Sequence, residues 1–132
     1  MTLPKEDREA IIEYRINRAE QSLKEAFDNF SLGHFNLVAN RLYYAVFYAC
    51  SAFLISNEIN ASTHAGVIRM INLYLIKQGK LSQEESRLIA DLYRMRQSGD
   101  YDDIFDWTED DIKPLLQPTV DLVRHIIEML KI

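Results

Sequence analysis

The sequence predicts an all-α protein, an up-and-down bundle of four or five helices. Three observations lead there. Apolar residues recur at spacings of three and four along nearly the whole chain, and strand-like alternation is missing. Only four glycines and three prolines are available in 132 residues, so connections must be short. One run, Leu42-Tyr43-Tyr44-Ala45-Val46-Phe47-Tyr48-Ala49-Cys50, is apolar almost all round, which marks a helix enclosed by others.

The elements follow in order. A first helix is expected from about Lys5 to Phe30, with Pro4 in its first turn. Ile12, Ile16, Ala19, Leu23, Ala26 and Phe30 form its stripe with Phe27 alongside, and Gly33 ends it. A second helix, His34 to Ser56, holds the apolar run and is central. A third starts at Ser62 or Thr63 as N-cap and runs to about Gln78, ending at Gly79, with Val67, Ile68, Ile71, Tyr74 and Leu75 inward. A fourth opens on a capping box, Ser82 to Glu85, and runs to about Ser98, where Gly99 breaks it. Thr108 caps the last segment, whose first turn carries Glu109, Asp110 and Asp111. Pro114 and Pro118 should kink or interrupt that segment. Leu115, Leu122 and Ile126 widen its apolar sector beyond what one packed neighbour needs, an argument for a homodimer. No repeat, linker or low-complexity stretch divides the chain, so one domain over residues 1–132 is expected.

Composition narrows the function. A net charge of −5 argues against non-specific binding to phosphate backbones, though it leaves room for a local basic patch. The one cysteine, Cys50, excludes an internal disulfide and reads as a buried, inert thiol. The segment Met1–Glu9 has no apolar signal core. The apolar run Leu42–Ile55 is too short to cross a bilayer. A soluble cytoplasmic protein without a membrane partner is therefore expected. No metal site and no cofactor are expected either. Histidine pairs at ligand spacing are absent, and Asp100, Asp102, Asp103 and Asp106 lack a calcium-loop pattern and read as a solvated acidic loop.

Three groups of polar residues remain as candidates. On the fourth helix Arg96 falls about 80° from Leu88, in the middle of the apolar face, whereas Arg94, Arg87 and Asp91 fall on the far side. A buried guanidinium must be paired or must serve something. Arg96 could hold a phosphate or carboxylate, with Tyr101 offering a phenol as proton donor or group acceptor. It could equally form an ion pair with Asp100 or Asp102 that fastens the loop to the bundle. His64 begins the inward face of the third helix, where the helix terminus favours a neutral imidazole. It is a candidate base or ligand, or a residue that helps cap its helix. Asn40, Arg41, Tyr44 and Tyr48, with Ser51, form a polar seam on the central helix. The seam could line a ligand pocket or form a hydrogen-bonded network that fixes packing.

Taken together, Asn40-Arg41-Leu42-Tyr43-Tyr44-Ala45-Val46-Phe47-Tyr48, Thr63-His64-Ala65-Gly66-Val67-Ile68 and Arg96-Gln97-Ser98-Gly99-Asp100-Tyr101-Asp102 resemble the HEPN superfamily, in particular its UPF0332 branch. The resemblance spans about Glu6 to Leu130. It implies an up-and-down bundle that dimerises, and a partnership with a minimal nucleotidyltransferase in toxin–antitoxin or defence systems. Other HEPN proteins are metal-independent ribonucleases with an arginine, four to six intervening residues, and a histidine. Arg96 matches the arginine, but Tyr101 stands in the histidine's place and no histidine follows before His125. A phenol with a pKa of about 10 is a poor general base at neutral pH. The resemblance therefore implies a non-catalytic partner, with Tyr101 similar in setting to tyrosines that accept adenylyl groups in related toxins. The alternatives are a ribonuclease, active or vestigial, using Arg96 with Tyr101 or His64, and a nucleotide-binding domain built on Arg96, Arg41 and the tyrosine seam.

Overall fold

A helix that is apolar almost all round has to be covered along most of its surface, and the computed structural model shows α2 (Phe35–Ser56) largely covered by the other helices. The model describes residues 3–101 and 106–130, with the side chains of residues 99–101 outside the description. Around α2 lie α1 (Lys5–Ser31), α3 (His64–Ile71), α4 (Gln83–Tyr101) and α5 (Glu109–Glu128), and α2 touches all four. No strand occurs among the described residues.

The most extensive contact is between α1 and α2. Their cross-contacts share one antiparallel register: Arg8 meets Glu58, Arg18 meets Tyr48, and Glu25 meets Arg41. The buried positions of α1 are mostly small, with Ala19, Ser22 and Ala26 wholly enclosed beside Ile12. Small side chains let two helix backbones approach closely. On α2, Val38, Ala39, Leu42, Ala45, Ala49 and Cys50 are sealed in the core. Burial of that kind supplies about 1.5–3 kcal/mol for each large apolar side chain.

Local chemistry sets the ends. Gly33 and Gly79 adopt left-handed conformations, φ 78° and 71°, just past α1 and past the coil that follows α3. Thr63 accepts a hydrogen bond from the Gly66 N–H at 2.9 Å. Ser82 and Glu85 exchange backbone and side-chain bonds at 2.9 and 3.1 Å, and Thr108 and Asp111 form the same box. Between Tyr101 and α5, Asn36 of α2 donates to Asp106 Oδ1 and accepts from the Trp107 N–H.

Several expectations are corrected. The fourth helix does not stop at Gly99 but runs on through Tyr101. The last helix is one element with Pro114 and Pro118 inside it. Both prolines lie on the exposed side, four residues apart, so carbonyls left without an N–H donor are on the water side. The third helix passes at Asn72–Ile76 into a π turn, in which the Lys77 N–H donates to the Asn72 carbonyl. That wider coil keeps Leu75 in the core but turns Tyr74, expected inward, out to 40% exposure. Phe27 is likewise 41% exposed and lines a groove between α1 and α5.

The apolar sector taken as a sign of dimerisation is used within the chain. Leu122 and Ile126 are buried, and Leu115 packs against the core. The apolar stretch Leu42–Ile55 lies within α2, whose extent is close to the expected one. By length and composition α2 could cross a membrane, yet 67% of its apolar window is buried against the other helices. That is the pattern of a core helix.

Two outcomes follow for stability. Leu92→Ala, at a fully enclosed position, should cost about 2–5 kcal/mol in urea unfolding. Pro118→Ala should raise stability by about 1–3 kcal/mol, because it restores an N–H donor at an exposed helical position. A lower melting temperature for that variant would show that the proline matters to α5 in another way.

Candidate functional site

The candidate residues fall at the junction of α2, α3 and α4. Two aromatic pairs one turn apart on α2, Tyr43-Tyr44 and Phe47-Tyr48, supply its floor. Thr63 caps α3 through its hydroxyl, so the helix begins at His64, and a Cβ on Gly66 would come within 2.9 Å of that hydroxyl. His64 therefore does not cap the helix. Its ring stacks on Phe47 with centroids 4.3 Å apart and lies against Tyr43 and Tyr44 at 5.7 and 5.8 Å. Its Nδ1 is 2.7 Å from the Tyr43 hydroxyl. When the imidazole carries its proton on Nε2, the phenol donates to Nδ1.

Arg96 enters from α4. Its guanidinium carbon lies 5.6 Å from the Tyr43 ring centre and 5.7 Å from that of Tyr44, within the range of a cation–π interaction. The expected inward placement of Arg96 is what the structure has: the residue is half-buried among Leu92, Tyr93 and Met95, while Arg94 is exposed and pairs with Asp91 at 3.1 Å. Arg96 and His64 thus share the same two rings. Tyr93, 5.9 Å from Tyr43, closes the cluster on the α4 side.

This setting determines the protonation states. Burial, and secondly the charge of Arg96, pulls the His64 imidazole below its ordinary pKa. A neutral ring was expected from the helix terminus, but the pull comes from burial and the neighbouring guanidinium. Burial pushes the Tyr43 phenol far above its ordinary value, against the opposing effect of Arg96. Tyr43 is thus a neutral hydrogen-bonding group at physiological pH. The Cys50 thiol, wholly enclosed, is pushed up to about 12 by burial and stays protonated.

The seam on α2 is a second cluster, continuous with the first through Tyr44. Arg41 donates from Nη2 and Nε to Asn40 Oδ1 at 2.6 and 3.0 Å, and from Nη1 to Glu25 at 3.3 Å. Its guanidinium carbon is 5.1 Å from the Tyr44 ring centre. Tyr44 thus has guanidinium groups from two sources, Arg41 and Arg96. Tyr48 carries Arg18 of α1 at 5.4 Å. Asn40 and Arg41 form a network that ties α2 to α1, whereas Tyr44 engages through its face and Tyr48 through its face and its hydroxyl, which Arg18 meets. Ser51, placed on the seam by its spacing, is buried.

The side chains of Asp100 and Tyr101, together with Asp102 and Asp103, lie outside the described residues, and with them the ion pair of Arg96 considered above. His125 is far from the cluster in sequence and donates from Nδ1 to Glu85 at 2.7 Å. Sequence reasoning missed Tyr43, Phe47, Tyr93 and Arg18. The paired aromatic spacing on α2 carried a signal for the first two. Nothing in the spacing of α1 or α4 singled out the others.

A family model for the HEPN domain matches residues 12–132. The chain belongs to the HEPN domain family. Over 128 residues it is 30% identical to a UPF0332 protein of Thermotoga maritima, covering 95% of this chain and 97% of that one. Two proteins of Methanocaldococcus jannaschii named "Putative toxin MJ0142" and "Putative toxin MJ0605" are 31% and 33% identical. The matches cover 80% and 74% of this chain, and 71% and 69% of theirs. For this HEPN chain the motif Arg96-x4-Tyr101 departs from the arginine–histidine pattern, yet a histidine from another helix, His64, lies against the same two tyrosine rings as the arginine.

The electrostatics give a test. His64 binds its proton less readily in the folded chain than in the unfolded one, so the unfolded state takes up protons first as the pH falls below about 6.5. Its contribution to stability is complete above that value and is lost as the pH falls towards the depressed folded pKa. Urea midpoints should therefore decline over this window in the wild type and flatten in His64→Gln. In an NMR titration, Arg96→Gln should move the His64 midpoint upward. An unmoved midpoint would remove the guanidinium as a cause.

Proposed function

We propose that this chain is a HEPN partner of a minimal nucleotidyltransferase in a toxin–antitoxin or defence module. It acts through binding and not as a nuclease, with Tyr101 as the acceptor of an adenylyl group. The observation that carries the reading is the replacement of the motif histidine by Tyr101 in a chain whose relatives include proteins named as putative toxins. The continuation of α4 through Tyr101 supports it. Five residues along a helix put position 101 about 140° around the axis from Arg96, so the tyrosine does not simply replace a histidine beside the arginine. In this reading Arg96, Asn40, Arg41, Tyr44, Tyr48 and Asp100 contribute to recognition of the nucleotide or of the partner. The chain pairs as a homodimer through a face other than Leu122 and Ile126.

A second reading, a ribonuclease centred on Arg96 and His64, is favoured by one observation. The two side chains lie on the same rings, and His64 is held neutral, the state a general base requires.

Intact mass spectrometry separates the readings. After incubation with ATP, Mg²⁺ and the nucleotidyltransferase encoded beside it, the wild type should gain one or more AMP masses, and Tyr101→Phe should gain none. No gain, with an enzyme active on another target, would overturn the adenylylation. RNA cleavage that is lost in both Arg96→Ala and His64→Ala would establish the second reading instead.

A further inference from the structure

The hydrogen bond between Tyr43 and His64 can form in two ways, and its surroundings select one. In the first, the phenol donates to Nδ1 and the ring proton sits on Nε2. In the second, an Nδ1–H donates to the phenolic oxygen, and the phenol's own proton needs another acceptor. Tyr43 is only 2% exposed. Among the described residues its hydroxyl has one hydrogen-bond partner, the His64 Nδ1 at 2.7 Å. The second arrangement would leave a buried hydroxyl proton unpaired, a cost the first avoids. Burial also keeps that proton on the phenol, against the opposing effect of Arg96.

The ring is held in one orientation as well. It stacks on Phe47 with planes 20° apart, and Tyr44 meets it edge-on at 86°. Turned over, the imidazole would set a carbon beside the hydroxyl and lose the bond. The titratable and charged groups around it are Tyr43 and Tyr44 of α2 and Arg96 of α4. Burial, and then the Arg96 charge, disfavours a second proton on the ring. We propose that Tyr43 is a positioning residue that fixes the tautomer of His64, so that the neutral imidazole offers an N–H donor at Nε2 and no free lone pair. Neutrality alone suits a base, but here both ring nitrogens are committed. Nδ1 accepts from Tyr43 and Nε2 carries the proton. A neutral imidazole of this kind meets an acceptor oxygen, and can stabilise one on which charge develops. Its Nε2 is not among the unbonded polar atoms sealed from solvent. In the ribonuclease reading His64 then donates, and a different group must remove the proton. The tautomer itself depends neither on that reading nor on modification of Tyr101.

NMR of the full chain with ¹⁵N-labelled histidine tests this. Long-range proton–nitrogen correlations tell a protonated ring nitrogen from an unprotonated one. Comparison with His64→Gln separates the His64 signals from those of His34 and His125. Above the ordinary histidine pKa of about 6.5, the wild type should show a protonated Nε2 and an unprotonated Nδ1. The Tyr43 hydroxyl proton should be protected from exchange and correlate with that Nδ1. Tyr43→Phe keeps the aromatic ring and removes only the hydroxyl. In that variant the two tautomers should mix. The His64 midpoint should rise by about 0.5–1 pH unit, because the neutral form loses its donor. Tyr44→Phe, which packs on the same imidazole without a hydrogen bond to it, should leave the tautomer unchanged. A proton on Nδ1 in the wild type overturns the assignment. A tautomer and midpoint unchanged in Tyr43→Phe overturn it too, and leave Tyr43 as packing. Should that variant fail to fold, the wild-type hydroxyl proton decides: without its correlation to Nδ1 the assignment fails. RNA cleavage enters none of these outcomes, so the ribonuclease reading stands or falls by its own variants.

Discussion

The close antiparallel contact of α1 with α2 is the constraint on which the rest depends. It works because the residues enclosed on α1 are small, Ala19, Ser22 and Ala26, and α2 answers with several alanines of its own. Tight approach on that side leaves the bulky side chains of α2 to be covered by α3, α4 and α5. The aromatic pairs thereby come to lie between helices and not inside one packed layer. The polar groups that meet them there come from different helices, so the site exists only when the bundle is assembled.

That geometry explains how an acidic chain supports a strip of arginines. Each guanidinium rests on a tyrosine face, where the ring quadrupole offsets part of the cost of leaving water. The tyrosine faces thereby add to whatever polar partners each guanidinium has. Only Arg41 combines such a face with a described acid, Glu25. The hydrogen bond between Tyr43 and His64 has a related effect. It fixes one nitrogen of the imidazole against the central helix.

The fold was legible in the sequence because helical periodicity reports burial directly. The α2 run, the Ser82 box and the Thr108 cap lie where spacing and cap chemistry put them, and of Ser62 and Thr63 it is Thr63 that caps α3. Arg96 was legible for the same reason, as a charge on an apolar face. Where local rules failed, tertiary context outweighed them. Gly99 carries only a modest helix penalty that neighbouring turns overcome. Pro114 and Pro118 face water, which is where the loss of a backbone donor matters least. The partnership of His64 with Tyr43 was not legible, because it joins side chains 21 positions apart across two helices. Arg18 escaped notice because nothing local distinguishes it from the other charges on α1.

The π turn at Asn72–Ile76 bears on how such chains are compared with one another. A π turn holds one residue more than the α-helical turn it replaces. The core position just before it, Ile71, and the one within it, Leu75, are both buried. A relative that lacked the extra residue could fill the same core with a straight helix and would differ in the residues this turn presents outward. A single-position gap at this point in an alignment would therefore record a change of surface and not of architecture.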